Sequence, residues 1–370
     1  IKLSAKEACS AYSAISISKL SPKKINNFPK KIKNSIEAAG IKSIHPLVDI
    51  VNFIMLETGQ PMHVYDEDKI KGDLEVRLAK KDEKLEILGD KDLKLKNDCL
   101  VIADSNEPIA FAGISGGNDH SVTKLSKNFL IESAYFDPSA IKGKARRYGF
   151  QTDASQRFER GVDYNLHEKA LVEAANLIEE IYNGDFSKIE TKKNSFFPKQ
   201  KIIKISCEDI NKKLGTFLKE NLIISIFKRL EISLLKKNNS VLSFKIPSHR
   251  FDLSIKEDLI EEVARIIGYD QLPESKSLTV NQNYEVSEYQ FTDSIKSFMK
   301  NKGFNEVINY SFLDPKILEN LSISKKSISL KNPLNKTISV LRTSLLPSLA
   351  SSLEYNLKRG ENFLKIFEIG

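Results

Sequence analysis

The stretch PLVDIVNFIMLETGQPMHVYD, Pro46 to Asp66, constrains this chain most, because it sets an apolar run directly against the polar turn Gly59-Gln60-Pro61-Met62-His63. Val48, Ile50, Val51, Phe53 and Ile54 are β-branched or aromatic, with Asp49 and Asn52 as polar interruptions. The run therefore reads as a mostly buried strand. If it is buried, Asp49 and Asn52 need hydrogen-bond partners. His63 has two readings: a packed histidine at the end of an element, or the lip of a pocket walled by the run.

A chain of 370 residues exceeds what one core serves, so two or three domains are expected. With 41% hydrophobic and 29% charged residues it reads as soluble and globular. No stretch supplies the roughly 18 uncharged apolar residues a membrane span needs, and no apolar run follows a basic N-terminus as in a signal peptide. A membrane is not an expected partner. Cys9, Cys99 and Cys207 are odd in number and lack metal-ligand spacing, so they read as reduced thiols in the cytoplasm. The net charge of +8 would suit a phosphate-rich partner, but a solvated lysine surface explains it equally. The chain begins at Ile1 without a Met and stops at Gly370 just after the strand-like FLKIFEI. That reads as a fragment of something longer.

Before the run, Pro29 to Ala39 forms an amphipathic segment stopped by Gly40. After it, Asp73 to Lys80, Leu85 to Leu88 and Leu93 to Leu95 read as short strands split by turns, which implies a sheet. In VIADSNEPIAFAGISGGND, the glycines Gly113, Gly116 and Gly117 fit close approach of a ligand or another backbone, or a plain tight turn. FLIESAYF, Phe129 to Phe136, reads as a buried strand with one carboxylate, Glu132. A charge there costs several kcal/mol unless it is bridged or kept for a ligand. Lys142, Lys144, Arg146 and Arg147 read as a solvated helix face or as an RNA contact. Thr152, Asp153, Ala154 and Ser155 are small or hydrogen-bonding, suited to lining a pocket without filling it. Asn165 and Glu168 form a capping box for a helix from Leu166 to Tyr182, ended by Asn183-Gly184, which closes the first domain.

A Lys-, Ser- and Pro-rich linker, about 185–199, leads to a unit of order strand, helix, helix, strand, helix. Ser254 and Glu257 cap its last helix, and Leu259, Ile260, Val263, Ile266 and Ile267 form the buried stripe. Asp258, Glu261 and Glu262 then share the opposite face, with Asp252 just before the first turn. Four such carboxylates suit a hard cation, or simply an acidic surface. A third unit begins near Tyr284: a helix from Glu288 to Lys302 burying Phe291, Ile295, Phe298 and Met299, the strand EVINYSF, a helix around Pro315 to Leu321 and a longer one from Leu346 to Lys358. Nothing in it has the form of a nucleotide site, so any ATP chemistry lies elsewhere.

Three segments in order, GIKSIHPLVDIVNFIMLETGQPMHVYDEDKI, LIESAYFDPSAIKGKARRYGFQTDASQRFERGVD and PSHRFDLSIKEDLIEEVARIIGYDQLP, resemble the β subunit of bacterial phenylalanyl-tRNA synthetase. The resemblance runs over essentially the whole chain and implies an α+β multidomain fold. Residues 1–190 would be a B3/B4 editing domain with mixed sheets, 199–274 a small winged-helix-like B5 domain, and 284–370 the start of an inert class II synthetase-like domain with an antiparallel sheet. The resemblance also implies an α subunit that performs ATP-dependent aminoacylation, an (αβ)2 cytoplasmic enzyme, and tRNA(Phe) as substrate. A Phe pocket rejects an added hydroxyl poorly, so Tyr-tRNA(Phe) has to be hydrolysed at a second site. By matching motifs, Glu132 would accept the Tyr hydroxyl. Gly116 and Ala154 would leave room for its ring beside Thr152, and His63, Asn52 and Lys42 would position the ester and terminal adenosine. The same matching puts Mg2+ at Asp252, Asp258, Glu261 and Glu262, shared with the α subunit.

Lys42 stands where the family usually has Arg, and Val51 where it usually has Thr; neither exchange is conservative in a polar pocket. They motivate a rival reading, a non-catalytic assembly and tRNA-binding subunit with a decayed pocket. A third reading, a nucleic-acid-binding protein built on the small second domain, would show steeply salt-dependent DNA binding.

Overall fold

The computed structural model describes residues 1–22, 28–274, 287–323 and 327–370, in two units, Ile1–Glu274 and Ser275–Gly370. In the first, β1 (Lys2–Leu3) and β2 (Cys9–Pro22) precede α1 (Lys30–Ala38), α2 (Pro46–Thr58) and β3 (Met62–Asp66). Then come β4 (Glu75–Leu78), the hairpin β5 (Glu83–Ile87) and β6 (Lys91–Leu95), β7 (Leu100–Ala103), β8 (Pro108–Phe111), β9 (Ser115–Gly116) and β10 (Phe129–Phe136). Three helices, α3 (Pro138–Ile141), α4 (Lys144–Arg147) and α5 (Asp153–Arg160), lead to the long α6 (Leu166–Ile181), then β11 (Tyr182–Phe186) and β12 (Glu190–Lys193).

Period-two alternation sorts these strands into layers. One antiparallel sheet runs β11-β2-β10-β3, with β12 also on β2; a second, mixed sheet runs β1-β4-β7-β8-β9, with β1 parallel to β4. Along the first sheet, Ile15, Ile17, Phe129, Ile131 and Val64 face α1, α2 and α6 in one core. The alternate residues Tyr12, Ala14, Leu130, Ala134, Phe136 and Tyr65 face the second sheet in another. The result is helices on a sheet on a sheet, with the second core between the sheets.

The apolar run from Pro46 is a helix, not the strand its β-branched content implied. Leu47, Ile50, Val51, Ile54 and Met55 are buried on one face at spacings of three, one, three and one, the helical period. Pro46 fits at the first helical position, where no N–H is needed, and Gly59 closes the helix at φ 82, a left-handed conformation that suits glycine. Buried Asp49 does find partners: its carboxylate accepts from the Ile44 N–H at 3.1 Å and the Ser43 hydroxyl at 2.6 Å. Asn52 is half-buried.

Other boundaries also moved. Asn165 makes no side-chain cap, and Asp163 accepts its N–H at 2.9 Å. Asn183-Gly184 does not stop α6 in a loop but lies within β11, paired with β2. The supposed linker holds β12, paired with β2 from Glu190↔Ala14 to Lys193↔Ala11.

Next follow β13 (Ile202–Ser206), α7 (Cys207–Leu214), α8 (Glu220–Arg229), β14 (Ser233–Asn238), β15 (Val241–Lys245) and α9 (Lys256–Ile267). That is one strand more than the sequence implied, making a sheet of order β13-β15-β14 packed on the three helices through Phe227, Phe244, Leu259 and Val263.

In the second unit, α10 (Ser287–Asn301) is followed by β16 (Asn305–Glu306), β17 (Phe312–Leu313), α11 (Pro315–Asn320), β18 (Val340–Leu341), α12 (Leu346–Leu357) and β19 (Ile366–Phe367). The EVINYSF strand is absent as such: its two ends belong to different pairs, β16 parallel to β19 and β17 antiparallel to β18. The expected onset at Tyr284 lies outside the described residues. The apolar stripe of α10 is not buried: Phe291 is 68% and Phe298 59% exposed. Among the described residues no helix is long and apolar enough to cross a membrane.

Candidate functional site

Strand pairing brings the central residues together. Glu132 on β10 sits directly opposite His63 on β3 and Ala14 on β2, and directly opposed side chains share one face. Tyr65 faces Leu130, and Tyr12 faces Ala134. Both tyrosines are therefore diagonal neighbours of Glu132, within reach of a long side chain. Gln60, fully buried in the turn before β3, donates to the Ala134 carbonyl at 2.9 Å and so pins the turn to β10.

The space in front of Glu132 exists because its surroundings are small. Ala110, Gly113, Gly116, Ala134 and Ala154 contribute to the lining, together with His63, Tyr65, Phe136 and Phe158. The cavity measures about 70 Å³, several times the roughly 10–15 Å³ one water needs.

The electrostatics set two opposed groups. Burial pushes the Glu132 carboxyl up to about 7, although Tyr12 and Tyr65 pull it down. Tyr12 donates its phenol to Oε2, whereas the buried Tyr65 hydroxyl meets no acceptor in hydrogen-bond geometry. Burial pulls the His63 imidazole down to about 4, so it is neutral near pH 7. His63 is partly exposed as a residue, but its Nε2 is sealed and has no partner. A buried polar atom without a partner is uncommon and calls for a ligand or water.

Gly116 serves the histidine first. A Cβ there would lie 2.3 Å from His63 Cε1 and Nε2, so Gly116→Ala expels the ring from its seat. The variant is expected to lose about 1–3 kcal/mol of stability, the usual cost of forcing an extra methyl into a packed site; urea unfolding checks it.

Thr152 is not on the cavity wall. It caps α5, accepting the Ser155 N–H at 3.0 Å, and donates to the Ile114 carbonyl at 2.7 Å. It thereby fixes the helix that carries Ala154. Lys42 is exposed and Asn52 half-buried, and neither lines the cavity. Val51 is 2% exposed in the core on the opposite side of the sheet, away from the Glu132 face. Sequence reasoning missed Tyr12, Tyr65, Ala134 and Phe136; alternation from Glu132 along FLIESAYF marks the last two, but only strand register reveals the tyrosines.

In the basic segment 142–147, Lys142 follows the end of α3, and Gly143, at φ 73, precedes α4, which holds Lys144, Arg146 and Arg147. Lys144 and Arg147 pair with Asp98, and Arg146 lies 3.6 Å from Glu159. These ion pairs favour the solvated-surface reading.

Three of the four carboxylates around α9 are likewise engaged, and Glu261 is exposed. Asp252 is forked by Arg250 Nε at 2.9 Å and Nη2 at 2.8 Å. Asp258, rather than Ser254, caps the helix, accepting the Ser254 and Ile255 N–H groups at 2.6 and 2.9 Å. Glu262 does not share the open face: it is 7% exposed, because it flanks Val263 in the stripe, and it pairs with Arg250 at 3.0 Å and Arg265 at 2.6 Å. Among the described residues no group of three or more His, Cys, Asp or Glu is arranged to hold a metal ion. As placed, Asp252 and Glu262 face guanidinium groups and Asp258 faces backbone N–H groups, rather than one shared metal position. Arg250→Ala is expected to destabilise this module by about 1–2 kcal/mol, less than for an isolated buried pair because Arg265 remains; urea unfolding checks it.

Three family models match the chain: a B3/4 domain over residues 8–183, a tRNA synthetase B5 domain over 203–269, and a phenylalanyl tRNA synthetase beta chain CLM domain over 272–370. The chain belongs to the phenylalanyl-tRNA synthetase β-chain family. The phenylalanine-tRNA ligase beta subunit of Francisella tularensis subsp. tularensis is 39% identical over 376 residues, covering 100% of this chain and 47% of that protein. That of Haemophilus ducreyi is 37% identical over 372 residues, covering 100% and 46%. The chain thus spans about half the length of the curated relatives it matches. A solved N-terminal fragment of the phenylalanyl-tRNA synthetase beta subunit from Pyrococcus horikoshii is 15% identical over 72% of this chain and 73% of that one, with a TM-score of 0.33. This β chain has the mixed α+β architecture expected of its family.

Proposed function

We propose that this β chain works with an α subunit in a cytoplasmic (αβ)2 enzyme that attaches Phe to tRNA(Phe) with ATP, and that the cavity at Glu132 hydrolyses Tyr-tRNA(Phe). In this reading residues 1–190 are the editing domain, 199–274 the B5 domain and 284–370 the inert synthetase-like domain. The observation that carries it is the pairing, across adjacent strands, of a buried carboxyl not tied to a base with a neutral histidine whose Nε2 has no partner, in a cavity kept open by small residues.

The tyrosyl ring enters between Gly116 and Ala154, and Glu132 accepts its hydroxyl. A phenylalanyl ring offers nothing to that carboxyl and leaves it desolvated without return, which disfavours Phe-tRNA(Phe). Water adds to the ester carbonyl, the bond to the terminal ribose oxygen breaks, and that oxygen takes up a proton. Neutral His63 orients the ester or the water through Nε2, with a tRNA hydroxyl assisting. Lys42 and Asn52, outside the cavity, are assigned to the tRNA end. Magnesium belongs, in this reading, to a contact with the α subunit, and Arg250 has to release Asp252 and Glu262 before those carboxylates turn to a cation.

The test is deacylation of Tyr-tRNA(Phe) and Phe-tRNA(Phe) by the whole enzyme. Preferential hydrolysis of the tyrosyl ester is expected. Equal, background-level release of both would favour the decayed-pocket subunit instead.

A further inference from the structure

Glu132 is not simply buried; it is held, and the group that holds it has the same chemistry as the hydroxyl it is proposed to recognise. Tyr12, fully buried on β2, donates its phenol to Glu132 Oε2. An incoming tyrosyl ring would bring a second phenol to the same carboxyl. A carboxylate has about four lone-pair positions, so both fit, and each charge-assisted O–H···O bond is roughly twice as strong as a neutral one.

We propose that Tyr12 is a positioning residue for substrate discrimination, holding the Glu132 carboxyl in the orientation from which it accepts the aromatic hydroxyl of a mischarged ester. This rests on the editing reading, which it deepens. The arrangement follows from register, since Tyr12 lies opposite Ala134, two residues along β10 from Glu132. A smaller residue at position 134 leaves the phenol free to lean back over the carboxyl.

The titratable groups facing Glu132 are Tyr12 and Cys9 from β2 and His63 and Tyr65 from β3. Cys9 and the tyrosines are pushed up by burial and stay neutral, and His63 is pulled down and also stays neutral. No cation on these strands balances the carboxylate, so the bond from Tyr12, with the Tyr65 phenol nearby, favours its charged form. Without Tyr12, burial drives the carboxyl further toward the protonated form. A protonated carboxyl meets the substrate hydroxyl without charge, and discrimination falls.

The experiment uses the whole enzyme with Tyr12→Phe, which removes one oxygen and keeps the ring. The first readout is the deprotonation midpoint of Glu132, taken from the carboxyl infrared band that Glu132→Gln abolishes. The second is the pH profile of Tyr-tRNA(Phe) deacylation. In Tyr12→Phe the midpoint is expected to rise by about one unit, and the deacylation profile to move up with it, so that activity lost near neutrality returns at higher pH. A mere packing defect would lower activity at every pH without moving the midpoint. Should Tyr12→Phe fold poorly, 3-fluorotyrosine at position 12, a stronger donor of nearly the same shape, is expected to move the midpoint down. An unchanged midpoint in both variants overturns the proposal. If the midpoint moves but the wild type releases no tyrosine from Tyr-tRNA(Phe), the hold of Tyr12 on Glu132 stands and the editing reading falls.

Discussion

Glu132→Gln is expected to make the protein more stable above neutral pH and less able to tell Tyr-tRNA(Phe) from Phe-tRNA(Phe). Burial raises the carboxyl from 4.5 to about 7, and each unit is worth about 1.4 kcal/mol. The folded chain therefore bears a cost of roughly 3 kcal/mol once the group is ionised in both states. The sign follows from the raised value: below about pH 4.5 the carboxyl is neutral folded and unfolded, and no charge is buried. Between about 4.5 and 7 the unfolded chain loses its proton first, so stability falls as pH rises, and above about 7 the full cost is present. Gln bears none of this cost, and its carbonyl still accepts from Tyr12. Urea unfolding at pH about 4 and about 8 should find the variant equal to the wild type at the lower pH and more stable by roughly 3 kcal/mol at the higher. In the whole enzyme, preference for the tyrosyl ester should fall by about ten- to a hundredfold, the worth of a hydrogen bond to a charged group. Equal stability at both pH values would mean that Glu132 is solvated and that the cavity does not sequester it.

How much of this could be read beforehand depended on whether the physics was local. Glu132 stood out because FLIESAYF has one charge in an otherwise apolar strand, and the cost of burying it is local. The three-residue rhythm of Leu259, Ile260 and Val263 likewise foretold the buried side of α9. The run from Pro46 misled because Val, Ile and Phe favour strands, while the deciding information lay in the spacing of Leu47, Ile50, Val51, Ile54 and Met55 and in the Pro and Gly at its ends. Val51 shows the consequence: on a strand it could have faced the pocket, but on α2 it packs on the far side of the sheet. Tyr12 was invisible because 120 residues separate it from Glu132, and only register brings them together. The acidic helix misled for a related reason: spacing grouped its carboxylates, but Arg250, which engages two of them, comes from the loop before the helix.

Phe136→Ala separates the cost to stability from the loss of the site. Phe136 is 2% exposed, meets Phe158 edge-on at 5.0 Å, and walls the cavity. Removing a buried Phe ring costs about 3–5 kcal/mol, from lost apolar contact and the void left behind. Phe244 is a matched control in the B5 module, fully buried and edge-on to Phe227 at 4.6 Å. Phe244→Ala is expected to cost a similar 3–5 kcal/mol at a core that shares no residue with the cavity. The two variants should lower the melting temperature alike yet differ in function. Phe158 shares α5 with Ala154, so losing Phe136 frees that helix to shift, and the cavity opens toward the void. Deacylation of Tyr-tRNA(Phe) per folded enzyme, measured well below the melting transition, should drop about tenfold or more in Phe136→Ala and stay near wild type in Phe244→Ala. Equal activity in the two would show that the packing around Phe136 holds up the fold without shaping the site, and would move the ring-binding wall away from β10 and α5.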